Sequence, residues 1–292
     1  MAENTKVAIS ADFLTAFAAL PRQIQGKVTE FMNKFRNNPT APGINYEKLN
    51  ACQDKKIFSV RIDDTYRGIV VRQPETGVYL LLWVDHHDEA YAWAKNKKCE
   101  VNPKTGAIQI YDMIVTPQVI PAAEDFMLFA EVGDQDLLDL GLPEDMLSFT
   151  RGIPDAQDFY AKKSSFPVDT FETLSWLVEG FPLDEVKALA KQEQEDRKVS
   201  GSLAEALDSP ETLKSFVVVE GEDELRRIMA EPLEKWRVFL HPTQRKIVNK
   251  NYSGAARVLG GAGTGKTVVA MHRAKHLVAA LKDKERIFFT TY

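Results

Sequence analysis

The sequence predicts an α+β unit, then a mainly helical connector, then the start of a P-loop α/β unit, and three observations carry that order. Residues 1–98 place two amphipathic helical stretches ahead of three closely spaced strand-like runs. Residues 99–232 are acidic and punctuated by proline. From residue 233 onward the charge turns basic, and the string GGAGTGKT (260–267) stands between a short apolar run and a helical pattern.

Within the first unit, Asp12 to Leu20 reads as a short helix with Phe13, Phe17 and Leu20 on one side. A longer helix follows Pro21, with Ile24, Val28, Phe31 and Phe35 forming one apolar stripe. The run NNPTAPG (37–43) ends it. Strands are expected at Ile57–Ile62, Tyr66–Arg72 and Val78–Asp85. The turn signals DDT and QPETG between them imply antiparallel hairpins. A helix over Asp88–Lys97 closes the unit, two helices on a three-stranded antiparallel sheet, expected to fold by itself. Trp83 and Trp93 are expected in the core.

In the connector, a strand is expected at Ile108–Val115 after the NPKTG turn (102–106). Three short helices follow, at LPEDML (142–147), FPVDTFETL (166–174) and FPLDEVKAL (181–189). Each opens on a proline with acids in the first turn, where carboxylates suit the helix dipole. Phe216–Val219 is a buried-strand candidate and Glu222–Ala230 a helix.

Charge divides the chain as the pattern does. Residues 1–98 hold 14 Lys+Arg against 11 Asp+Glu, residues 99–235 hold 12 against 29, and residues 236–292 hold 11 against 2. Anionic partners are therefore expected at the two ends. The longest apolar run, Val78–Val84, is far short of the roughly 20 residues that cross a bilayer. The opening MAENTKVAIS has neither the basic flank nor the apolar core of a signal peptide, and the two cysteines, Cys52 and Cys99, lack a pairing pattern. A cytoplasmic protein without a membrane partner is expected. The run Asp85–His86–His87–Asp88 is not expected to hold a metal, because adjacent strand residues point to opposite faces.

The string Gly260, Gly261, Ala262, Gly263, Thr264, Gly265, Lys266, Thr267 fits G-x-x-x-x-G-K-[ST]. Glycine lets backbone N–H groups converge on phosphate, and a helix N-terminus adds a favourable field. Lys266 then reaches the terminal phosphates, and the Thr267 hydroxyl is placed to hold Mg²⁺ carried by the nucleotide. The apolar run Ala256–Leu259 before the loop reads as a strand. Val268, Met271, Ala274, Val278 and Leu281 after it form one helical face.

Neighbouring residues narrow the family. WRVFLHPTQRKIV (236–248) lies upstream, with Gln244 22 residues before Lys266, and IFFTTY (287–292) lies downstream. This resembles the opening of a superfamily 1 DNA helicase of the UvrD/Rep type, over residues 233–292. The resemblance implies a RecA-like motor domain, ATP and Mg²⁺ as cofactors, and 3′–5′ unwinding of DNA. It makes Gln244 the adenine-reading residue and brings Thr290 and Thr291 to single-stranded DNA. His241 stands where that family often has Asn. With 26 residues after Lys266, the chain is expected to be the N-terminal part of a longer helicase, without sustained hydrolysis of its own.

The first unit resembles the RelE/ParE toxin family, on IFSVRIDDTYRGIVV (57–71) and LLLWVDHHDEAY (80–91). By that resemblance Arg61, Arg67, His86, His87 and Tyr91 are the nucleic-acid-binding residues. Arg61 and Arg67 are expected to be exposed, Arg61 sharing a face with Ser59 and Asp63. Ser59 departs from the family, whose ribosome-dependent members often carry a second lysine there. The reading is therefore an ATP-dependent helicase part whose RelE-like unit binds nucleic acid. The alternative is a RelE-like mRNA endonuclease, or a module that docks RNA or a protein.

Overall fold

The computed structural model describes residues 6–114, 127–194, 201–209 and 212–219, and towards the C-terminus 225, 228, 247–248, 250, 252–258, 266–278, 281, 286–288 and 290. Its class is α+β. Chain order begins with β1 (Lys6–Ser10), α1 (Ala11–Ala19), α2 (Arg22–Asn37), β2 (Tyr46–Lys48), β3 (Ile57–Arg61), β4 (Tyr66–Gln73), β5 (Val78–His86) and α3 (His87–Ala94). Ser10 sets the junction between β1 and α1. Its hydroxyl accepts from the Phe13 N–H at 3.0 Å, capping the helix, and donates to the Leu82 carbonyl at 2.8 Å.

The main sheet is larger than the three strands expected. Among the described residues it has six, in the order β2-β3-β4-β5-β1-β8, where β8 is Phe216–Val218. The three expected strands lie at its centre as antiparallel neighbours. β1 adds in parallel to β5, Ala8 opposite Leu80, and β8 adds antiparallel to β1, Ile9 opposite Val217. Neither β1 nor β2 alternates cleanly in sequence. β1 is buried on both faces, and β2 has only three residues.

Two cores sandwich this sheet. Phe13, Phe17, Val28, Phe31, Met32 and Phe35 of α1 and α2 pack on Val60, Val70 and Leu81. On the opposite face Ile57, Ile69, Leu80 and Leu82 meet Ala90 and Ala94 of α3, together with Leu203, Leu207 and Phe216. Leu203, Ala206, Leu207 and Phe216 thus belong to the same core as Ile57 and Ala94, so the sheet does not close at residue 98. Val219, Leu225 and Ile228 extend the first core.

A second, two-stranded sheet pairs β6 (Lys97–Val101) with β7 (Ile108–Asp112). The expected closing helix therefore ends at Ala94, and residues 97–101 are strand instead. The helices α4 (Asp134–Asp139), α5 (Leu147–Arg151), α6 (Ala156–Ala161), α7 (Val168–Val178) and α8 (Leu183–Gln194) follow. They enclose a third core of Phe129, Phe149, Phe159, Phe166 and Phe171. Gly141 ties this core to the hairpin. Its φ of +95° places a carbonyl that accepts from Asn102 Nδ2, Gln109 Nε2 and Thr170 Oγ1 at 2.9, 3.0 and 2.7 Å. A Cβ there would also stand 2.9 Å from Thr105 Cγ2. Then come α9 (Leu203–Ala206), α10 (Thr212–Ser215) and, after β8, α11 (Lys266–Val278). Among the described residues no helix is long and apolar enough to cross a membrane.

Candidate functional site

In the C-terminal part, Lys266 opens α11 and Thr267 is exposed in its first turn. Val269 packs on Val248, with Ile247 and Val268 alongside. Arg273 Nη1 donates to the Val248 carbonyl, and the Arg273 guanidinium lies over the Tyr252 ring at 5.1 Å. Gln244, Gly260 to Gly265 and Thr291 lie outside the described residues, and Thr290 is exposed.

Two expectations differ here. Ala256–Val258 and Ile287–Phe288 are irregular and not strand, and Phe288 is 87% exposed. A strand of a parallel sheet forms its ladder only with neighbours, and none pairs with these segments among the described residues. The expected apolar face of α11 is also largely uncovered, with Met271 at 50% and Val278 at 56% exposure.

A second polar constellation lies on the main sheet. Register puts Glu47 opposite Ser59, Ser59 opposite Ile69, and Arg61 opposite Arg67, which in turn faces Asp85. Paired residues share a face, so Glu47, Ser59, Arg61, Arg67 and Asp85 look the same way. The α3 helix lies against that face and supplies Tyr91. The Tyr91 hydroxyl donates to Glu47 Oε2 at 3.0 Å and lies 3.1 Å from Ser59 Oγ. The His87 ring stands 4.1 Å from the Tyr91 ring, centre to centre.

The two arginines are not equivalent, which corrects the expectation that both are exposed. Arg61 is exposed and paired with Asp64. Arg67 is buried, with its Nη1 donating to the carbonyls of Asp63 and Tyr66 at 2.8 and 3.1 Å. Its Nε is buried without a hydrogen-bond acceptor, and the carboxylate oxygen paired with it, Glu47 Oε2, is 3.8 Å away. Both faces of the sheet are covered, so a strand position that alternation assigns to solvent is enclosed by α3. Ser59 is buried for the same reason.

Asp63 organises the turn beneath Arg67. Its Oδ1 accepts from the Thr65 and Tyr66 N–H groups at 2.9 and 2.8 Å, and its Oδ2 meets Lys27 Nζ at 2.7 Å. Burial alone would raise its pKa, but these hydrogen bonds outweigh burial and hold the carboxyl below its ordinary range.

The histidines also separate. His86 pairs with Tyr66 on the other face and packs edge-on against its ring. His87, the first residue of α3, turns towards Tyr91, and its Nδ1 lies 2.8 Å from Asp88 Oδ1. That contact holds the Asp88 carboxyl below its ordinary range. Arg67, His87 and Tyr91 thus gather at one place, with Arg61 at its rim, while His86 does not join them. Glu47 was not legible from sequence, because only the pairing of β2 with β3 delivers it.

A separate cleft of about 920 Å³ runs between α1, α3, β7 and residues 161–168. Trp83 and Trp93 stack there at 5.3 Å, partly buried, and Lys97 bridges to Asp112 at 2.9 Å. Of its two lining lysines, Lys97 is matched by that close carboxylate and Lys163 lies over the Phe171 ring.

Residues 240–292 match the family model of the UvrD/REP helicase N-terminal domain. The C-terminal part of this chain is similar to that domain over those residues, which include the string GGAGTGKT. No curated protein and no solved structure matches the chain.

Proposed function

We propose that this chain binds ATP with Mg²⁺ through Gly260–Thr267 and serves an ATP-dependent DNA helicase of the UvrD/Rep type. The single observation that carries the reading is the match over residues 240–292, within which the phosphate-loop string falls. The helical placement of Lys266 and Thr267 in α11 supports it. First-turn N–H groups of a helix lack intrahelical acceptors, and the dipole favours an anion in front of them. Lys266 then meets the terminal phosphates, and Gln244 reads the adenine. Thr290 and Thr291 approach single-stranded DNA. Thr267, hydroxyl-bearing and exposed, fits the ligand position for Mg²⁺. When bound, that ion neutralises charge on the nucleotide phosphates.

The α+β unit is read as a nucleic-acid contact, through Arg61 at the rim and the buried Arg67 beside Tyr91 and His87. One buried guanidinium with a free N–H beside a phenol and an imidazole suits a phosphate oxygen. Ser59 in place of a lysine removes a cation that cleavage would use, so binding without efficient RNA cutting is favoured over the endonuclease alternative.

Titration of the full chain with a fluorescent ATP analogue tests the main reading. Lys266→Ala should weaken binding at least about tenfold, the scale of one lost charge-assisted contact. Gln244→Ala should instead erase a preference for ATP over GTP. Undiminished ATP binding by the Lys266→Ala protein would refute the assignment.

A further inference from the structure

We infer that Glu47 is a built-in occupant of an oxyanion seat made by Arg67, Tyr91 and Ser59, and that a phosphate group binds there by displacing the Glu47 carboxylate. This deepens the phosphate-contact reading of the α+β unit and rests on it.

Burial is the first ground. The Arg67 side chain is only 9% exposed. A buried guanidinium needs an anion beside it, because unpaired charge is costly away from water. Its Nη1 is satisfied by two turn carbonyls, while its Nε–H is buried and finds no acceptor.

Fit is the second. Glu47 Oε2 serves Tyr91 at 3.0 Å but stops 3.8 Å from Arg67 Nε, too far for a hydrogen bond. A carboxylate tethered to β2 thus satisfies one donor and misses the other. A phosphate group presents at least two non-ester oxygens in a tetrahedral array and is not tied to the sheet. It can accept from Tyr91 Oη and Arg67 Nε together, and Arg61 lies across the strand pair on the same face.

Ease of displacement is the third. β2 has three residues at the edge of the sheet, with β3 as its only neighbour among the described residues. The Glu47 side chain is 44% exposed, so its carboxylate can swing into water and be solvated there. Ser59 is fully buried beneath and keeps Tyr91 in place at 3.1 Å when Glu47 leaves.

The test uses the full chain carrying Lys266→Ala, so that the phosphate loop does not contribute. Inorganic phosphate and a short single-stranded RNA are titrated while the Arg67 Nε–H resonance is followed, assigned by its loss in Arg67→Lys. Glu47→Gln keeps the shape and removes the competing charge. It should tighten phosphate binding about tenfold or more and shift the Arg67 signal. Glu30→Gln, which removes an exposed carboxylate on α2 at the other side of the sheet, should change affinity less than threefold. If Glu47→Gln binds phosphate no tighter than its parent while RNA binds both, the inference fails and the nucleic-acid reading stands. If phosphate moves the Arg67 signal in Glu47→Gln while RNA binds neither protein, the seat stands and the nucleic-acid reading falls. Equal gains from Glu47→Gln and Glu30→Gln would reduce the effect to net charge and overturn the seat.

Discussion

Arg61 and Arg67 face each other across β3 and β4, yet one lies in water and the other in the protein interior. The closure of α3 over this end of the sheet makes the difference.

Replacing the two should therefore have unequal consequences. Arg67→Ala leaves the Asp63 and Tyr66 carbonyls without their donor, and Glu47 without its cation. A loss on the order of 3 kcal/mol is expected. Arg61→Ala removes an exposed pair with Asp64 and should cost less than about 1 kcal/mol. Urea denaturation of both variants checks this, and equal midpoints would contradict the buried placement.

Asp63 should confer stability that depends on pH. Its folded pKa is held below the ordinary value, so its contribution is present above the unfolded pKa and lost as pH falls through the folded one. Asp63→Ala should lower stability by about 1–3 kcal/mol at pH 7. The gap should shrink progressively below about pH 4, where the unfolded carboxyl begins to protonate. Thermal melts across that range would show the opposite trend if the Lys27 and turn contacts were absent.

Both thiols should be silent in the native state. Cys99 is fully buried, and burial pushes its thiol up to about 12. Burial raises the Cys52 thiol as well. At pH 8 a disulfide reagent should label neither until denaturant is added, because the thiolate is the reacting species. Rapid native-state labelling of Cys99 would show that the α3–β6 region opens.

Phe216→Ala should weaken the sheet at its far end in sequence. Phe216 is 2% exposed and belongs to the core beneath β5 and α3, so about 3–5 kcal/mol is at stake. Hydrogen exchange should accelerate at Ala8–Ser10, whose strand partners are residues 216–218. Unchanged protection there would mean that β1 is held by β5 alone.

The sequence by itself determined what depends on near neighbours. The stripes of α1 and α2, the hairpins of β3, β4 and β5, and the strand at Phe216 follow from period, turn residues and apolar runs within a few positions. The proposed phosphate loop is local too, since the pattern G-x-x-x-x-G-K-[ST] is a matter of residue types at fixed spacing. Tertiary structure decided what depends on distant pairing. β1 reads as a strand only because β5 and β8 flank it, and β8 returns to it from more than 200 residues away. Glu47 reaches Tyr91 across 44 positions through one short strand. Alternation fixes which face Arg67 takes, but not whether that face meets water. That depended on α3 packing over it, because burial belongs to the assembled layers and not to any strand alone.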